Sequence, residues 1–341
     1  MKGWFSLQMQ ARQTAHARTY RYVPMWLPLM TCLGALLLLN LASQVNALEL
    51  QGKWQQGGML LGKVAPGSQV RLGETLLPVS PEGEFVLGLG RNAPASATLV
   101  IANNEGEHSH QFTVEQRQYA IQRIEGVPQR TVTPPDSVLA RIRSEGAAVS
   151  RARRKASQRM DFLTGFSLPL EGPITGVYGS QRVFNGVPKN PHYGLDIAGP
   201  EGALVHAPIS GVVKLVHRDM YYSGGTLIVD HGYGISSTFI HLSDILVTEG
   251  DEIQRGDPIA KVGSTGRATG PHLDWRINWH QVRLDPAVVL ESFPFSSSSS
   301  GSGSGSGSGN SGLDLGGQMG EAVVPAVPAD EGKNAEIEPT Q

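Results

Sequence analysis

The chain has 341 residues, with 28 Lys and Arg against 30 Asp and Glu and a formal net charge of -2. That length suggests about two domains, and the balanced charge gives no electrostatic case for a nucleic-acid partner. The single cysteine excludes a disulfide framework.

At the N-terminus Lys2, Arg12, Arg18 and Arg21 precede an apolar stretch from Met25 to Leu39. Val45-Asn46-Ala47 then reads as a small-residue cleavage site, so residues 1–47 are read as a signal peptide, with the mature chain starting near Leu48. The apolar core is about 14 residues, short of the roughly 20 that span a bilayer. A retained signal anchor is the competing reading, and either one exports the rest. Cys32 lies inside this stretch. The mature chain therefore has no thiol, and any metal site in it must use His, Asp or Glu.

Residues 48–127 alternate apolar and polar positions, as in Gln69-Val70-Arg71-Leu72 and Glu84-Phe85-Val86-Leu87. Pro66-Gly67, Pro81-Glu82-Gly83 and Asn103-Asn104-Glu105-Gly106 punctuate them. Short strands at this spacing predict a small β-sandwich. His108 and His110 form an H-x-H pair there, read as part of an exposed hairpin because no third ligand is in view.

Residues 128–164 are read as a linker. After Thr131 to Pro135, Asp136 or Ser137 can cap a helix running to about Gln158. The helix carries Arg141, Arg143, Arg151, Arg153, Arg154 and Lys155 against Glu145 alone. Two readings stay open: a basic face for a membrane or an anionic wall polymer, and a solvated connecting helix. Gly146 in its middle weakens the helix.

Residues 165–295 form a second domain. Its apolar runs are short and β-branched, as in Thr226-Leu227-Ile228-Val229 and Ile259-Ala260-Lys261-Val262, and glycines and prolines interrupt them. The predicted fold class is thus all-β throughout, with one connecting helix. Residues 296–341 begin as a Ser/Gly linker and continue as an acidic, Pro-containing tail, read as disordered.

The residues with chemistry lie in the second domain. His192 and Asp196 are four apart, which on an extended strand would put them roughly 13 Å from each other. The chain must bend if both are to hold one metal ion, and Gly194 lies between them. His272 and Asp274 are two apart, so on a strand they share a face within about 7 Å. His241 ends another predicted strand and can reach the same cleft. Imidazole and carboxylate at two separated points of a Gly-rich β region point to a zinc hydrolase. His231, in Asp230-His231-Gly232, reads as a turn residue.

The runs H-Y-G-L-D-I-A, A-P-I-S-G-V-V, F-I-H-L-S, G-D-E-I-Q-R-G-D-P-I-A-K-V-G-S-T-G and T-G-P-H-L-D-W stand in order. Over about residues 170–287 they resemble the lysostaphin/LytM-type zinc endopeptidases, which cut peptide cross-links in bacterial peptidoglycan. The resemblance implies a lysostaphin-type β-sheet peptidase domain over 165–295 and one Zn2+ per chain. It implies His192 and Asp196 as two zinc ligands, and His241 and His272 as catalytic histidines that orient water, move its proton and stabilise an oxyanion. Asp274 stands where the family usually has a third histidine ligand. An aspartate there is still a ligand type, adds negative charge and tilts the site toward harder cations such as manganese. Arg182, Tyr221 and Tyr222 are the candidate substrate contacts. Peptidoglycan is the expected partner and the periplasm the expected compartment. Two other readings are a degenerate member of the fold that activates a cell-wall amidase, and a wall-binding module whose sandwich carries affinity.

Overall fold

The computed structural model describes residues 48–126 and 134–295. The predicted signal peptide, residues 127–133, and the Ser/Gly linker with the acidic tail lie outside the described residues. What is described is all-β, with two helices of which one is a single short segment near its end.

In the N-terminal part, strands Glu49–Gly52, Met59–Lys63 and Glu84–Gly88 form one antiparallel sheet. Thr75–Leu77, Gln69–Leu72, Ser96–Asn103 and Gly106–Thr113, in that order, form a second. Phe85, Val86 and Leu87 are all buried, alternation on Ser96–Asn103 buries Leu99 with Ile101, and these join Val70 in the core. His108 and His110 lie exposed on the outer strand of the second sheet.

The C-terminal part is built on an eight-stranded sheet. Its order is Glu252–Ile253, Gly211–Met220, Gly224–Gly232, Ile235–Leu242, His272–Trp279, Leu195–Ala198 and Ile174–Gly176, with Val282–Leu284 also paired to His272–Trp279. Gly224–Gly232 and Ile235–Leu242 are buried at every position. An antiparallel strand with one solvated face would alternate; these two are covered on both faces, so their sequences read as continuous runs. His272–Trp279 does alternate. Leu273, Trp275 and Ile277 go to the apolar core, while His272, Asp274 and Arg276 share the other face.

The sandwich and the large sheet share one core. Val70, Phe85, Trp279, Leu284 and Phe293 belong to the same cluster of buried residues. The Gly88 backbone lies so close to Trp279 and Leu284 that an added Cβ would come within 2.8 Å of both. Asp285 fixes the seam: its carboxylate accepts from Arg117 Nη1 at 2.7 Å, and its N–H donates to the Gly57 carbonyl at 2.8 Å.

The linker helix spans Asp136–Arg154, shorter than predicted. Neither Asp136 nor Ser137 caps it: Pro135 is the N-cap, and no side chain makes a capping bond. Nor is it a solvated connector. Ala148, Val149 and Ala152 pack on Leu215, Met220 and Ile228 of the sheet. Glu145 accepts from the Tyr221 N–H at 2.9 Å, and buried Arg153 donates to Thr238 Oγ1 at 3.1 Å. Arg143, Arg151, Arg154 and Lys155 remain exposed. Helix propensity and charge alone could not report this docking, which small residues on one face decide.

His231 is not in a turn. It ends the Gly224–Gly232 strand and is fully buried. Its Nδ1 donates to the Ser210 carbonyl at 2.8 Å, which leaves Nε2 to accept from Ser237 Oγ at 2.9 Å. Burial pushes its pKa down to about 4 from an ordinary 6.5, against the pull of the Ser210 carbonyl and Asp230. The unfolded chain therefore binds this proton first. Stability from the neutral ring is complete above about 6.5 and lost as pH falls toward 4, an amount of about 3 kcal/mol. The gap in unfolding free energy between the native protein and His231→Gln should narrow by that much between pH 7.5 and 4. Denaturant titrations at the two pH values measure it, and a constant gap would refute it.

Candidate metal centre

Sheet register makes the centre. Asp196 on Leu195–Ala198 stands directly across from Asp274 on His272–Trp279, and Ala198 from His272. His192 sits in the segment before the first of these strands, pinned by its backbone: its N–H donates to the Ser180 carbonyl and its own carbonyl accepts from the Gly179 N–H, each at 2.8 Å. His241 comes from the far neighbour of His272–Trp279, in a left-handed conformation with φ 66°. Such a φ is uncommon outside glycine and marks backbone held against its preference.

These five residues converge. His192 Nε2 lies 3.3 Å from Asp196 Oδ1, His192 Nδ1 4.0 Å from Asp274 Oδ2, and His272 Nε2 4.0 Å from Asp196 Oδ1. The His241 and His272 ring centroids are 5.0 Å apart. One ligand atom each from His192, Asp196 and Asp274 can be chosen so that all lie within 4.8 Å of one another. His192 Nε2 and Asp196 Oδ1 are both buried and have no hydrogen-bond partner among the described residues. Their 3.3 Å approach is an ion-pair contact without hydrogen-bond geometry. Two ligands of a tetrahedral zinc at about 2.0–2.1 Å would stand about 3.4 Å apart. The spacing, the orphaned atoms and the donor types all fit a zinc ion held by His192, Asp196 and Asp274.

Burial pulls the His192 imidazole down, but the Asp196 and Asp274 carboxylates outweigh it and the net shift is upward. His241 is shifted down, chiefly by burial, although its ring hydrogen bond to the Thr265 carbonyl opposes this. That bond, Nδ1 to oxygen at 2.8 Å, and the matching one from His272 Nδ1 to the Gly270 carbonyl, also 2.8 Å, fix both Nε2 atoms as the free ring nitrogens.

Gly194 lies at a bend directly before Leu195–Ala198, as expected, and the bend brings His192 to Asp196. It has no positive φ. A Cβ there would meet Asp274 Oδ1 at 2.0 Å, so the position is kept bare to admit the carboxylate. Arg276 was not singled out from the sequence, yet it contacts Asp274. Its Nε donates to Asp274 Oδ1 at 2.9 Å and its Nη2 to Oδ2 at 2.5 Å. Burial alone would raise the Asp274 carboxyl; the Arg276 guanidinium outweighs it and holds it at about 2. The signal was available, since Arg276 is two residues beyond Asp274 and shares its face.

The candidate substrate contacts stand apart from the five. Tyr221 and Tyr222 occupy the turn after Gly211–Met220, with rings 4.9 Å apart. The Tyr222 carbonyl accepts from the Arg267 N–H, and the next carbonyl, of Ser223, from the His241 N–H at 2.8 Å. Their turn thus adjoins His241. Arg182 is exposed on Gln181–Phe184. That strand forms a hairpin with Val187–Pro188, and Ile121–Ile124 from the sandwich side extends it by parallel pairing.

Residues 190–286, which hold all five, match the model of peptidase family M23. Over these residues the chain is similar to an M23 domain. Among curated proteins, similarity is found to the peptidoglycan DD-endopeptidase ShyB of Vibrio cholerae, 38% identical over 114 residues, which is 33% of this chain and 24% of that one. The DD-carboxypeptidase/endopeptidase Mpg of Neisseria meningitidis is 40% identical over 93 residues, 27% of this chain and 21% of that one. The match thus spans about a quarter or less of these relatives' length. A solved structure from Pseudomonas aeruginosa assigned to peptidase M23 aligns over 71% of this chain and 97% of its own, at 29% identity and a TM-score of 0.56. Resemblance to the lysostaphin-type peptidases is therefore borne out for the M23 domain.

Proposed function

We propose that the chain is an exported zinc metallo-endopeptidase that cleaves peptide cross-links of bacterial peptidoglycan. The observation that carries this is the buried, unpartnered pair of His192 Nε2 and Asp196 Oδ1 at 3.3 Å, beside the His241 and His272 rings. The substrate comes from ShyB, whose name states peptidoglycan DD-endopeptidase activity. Residues 1–47 would direct export to the periplasm, and the exposed arginines of the linker helix would face anionic wall or membrane.

A zinc ion held by His192, Asp196 and Asp274, one per chain, would supply Lewis acidity toward a peptide carbonyl and toward water. The chain's own residues do the rest. His241, kept neutral by burial, has Nε2 free to accept the proton of the attacking water. His272, whose Nε2 is likewise free, helps orient the water, and His241 returns the proton it has taken to the leaving amine. Tyr221 and Tyr222, on the turn next to His241, and Arg182 on the hairpin are assigned to the bound peptide.

Protein from Leu48 onward should contain about one zinc and release smaller muropeptides from purified sacculi; Asp274→Ala should lose both properties. Native protein that holds no metal and releases nothing would overturn the proposal. One observation favours a second reading, a metal-free activator of a cell-wall amidase: both Asp274 oxygens already accept from Arg276. That reading predicts amidase stimulation unchanged by chelator.

A further inference from the structure

Register sets two carboxylates, Asp196 and Asp274, opposite each other on neighbouring strands. Like charges directly across a sheet repel, and repulsion grows where water is excluded. The side chain of Asp274 is 3% exposed and that of Asp196 21%. The two are answered differently. Asp196 Oδ1 faces the His192 Nε2 at 3.3 Å and the His272 Nε2 at 4.0 Å, with no hydrogen bond among the described residues. Asp274 receives both arms of a guanidinium, Nε and Nη2 of Arg276, at 2.9 and 2.5 Å. This fork is the strong, directional form of the ion pair. It is walled in: a Cβ on Gly194 would fall 2.0 Å from Asp274 Oδ1 and 3.0 Å from Arg276 Cγ.

We propose that Arg276 is a positioning residue of the centre, which locks the Asp274 carboxylate in place and cancels its charge, so that a divalent cation meets a site of one net negative charge instead of two. The proposal rests on the reading of His192, Asp196 and Asp274 as metal ligands. Its chemical consequence is a trade. A carboxylate shared with a guanidinium gives less electron density to a cation, so the site binds the ion less tightly and leaves it a stronger Lewis acid. A lysine at 276 would restore charge without the fork.

Zinc affinity of the full chain, measured by competition with a chromophoric chelator, tests this alongside muropeptide release. Arg276→Gln should bind zinc roughly tenfold to a hundredfold more tightly and hydrolyse more slowly. Arg276→Lys should keep zinc affinity closer to native. A purely structural role predicts the opposite for the first variant, with weaker zinc binding and slower hydrolysis together. Should Arg276→Gln fail to fold, the comparison of Asp274→Asn with Asp274→Asn/Arg276→Gln avoids an unpaired buried carboxylate; removing the guanidinium there must again tighten zinc. Native protein that binds zinc and variants that bind it no better overturn this inference alone. Tightening in the variants of a native protein that releases no muropeptides supports the inference and counts against the endopeptidase reading. No zinc on any of them overturns both.

Discussion

Asp196→Ala should weaken zinc binding by about a thousandfold or more and end hydrolysis, while leaving the metal-free chain as stable as before. The second half of this expectation is the sharper one. Asp196 Oδ1 has no hydrogen bond among the described residues, and its neighbour across the strands is another carboxylate. Its removal breaks no hydrogen bond of that oxygen in the metal-free chain, and the relief of repulsion from Asp274 offsets the loss of the contact with His192. Zinc at about a thousand times its dissociation constant would stabilise native protein by about 4 kcal/mol. Thermal unfolding with zinc and with chelator reads both quantities: the native midpoint should rise with zinc and the variant midpoint should stay put at the native chelated value. A variant that is much less stable in chelator, or still shifted by zinc, would show that Asp196 is a structural residue and not a ligand.

Gly194→Ala should cost about 1–3 kcal/mol of stability and about a hundredfold in zinc affinity. The added methyl cannot occupy its ideal place, 2.0 Å from Asp274 Oδ1. Asp274 cannot simply swing away, because Arg276 grips both its oxygens and its strand is paired on both sides. The strain must go into the segment that carries His192, two residues earlier. Gly270→Ala is the control: nothing lies within 4 Å of its added Cβ, and it should stay within about 0.5 kcal/mol of native. Equal behaviour of the two alanine variants in unfolding and zinc titration would refute the crowding argument.

The candidate centre was legible because its residues stand in short, ordered runs that folding brings together with little ambiguity. His192, Asp196, His241, His272 and Asp274 all converge as expected. The same two-residue rule that paired His272 with Asp274 also covers Arg276, and it was applied one step too few. Other features could not be read locally. Pairing of Ile121–Ile124 with Gln181–Phe184 joins segments about 60 residues apart through backbone bonds, which leave no side-chain signature. The linker helix was visible in outline, but its docking depends on Ala148 and Ala152 meeting Leu215 and Ile228, a match of surfaces rather than of sequence. His231 looked like a turn residue because glycine follows it; only the sheet reveals that it is enclosed on every side.

The common core of sandwich and M23 sheet limits how this architecture can be rearranged by recombination. Arg117 and Gly57 on one side answer Asp285 on the other, and Gly88 leaves room for Trp279 and Leu284. A module exchange that kept the half with the candidate centre but brought in a foreign partner would inherit an unmatched aspartate and an uncovered tryptophan. Such chimaeras are viable only if these seam positions are transplanted as a set, so the two halves are bound to diverge together.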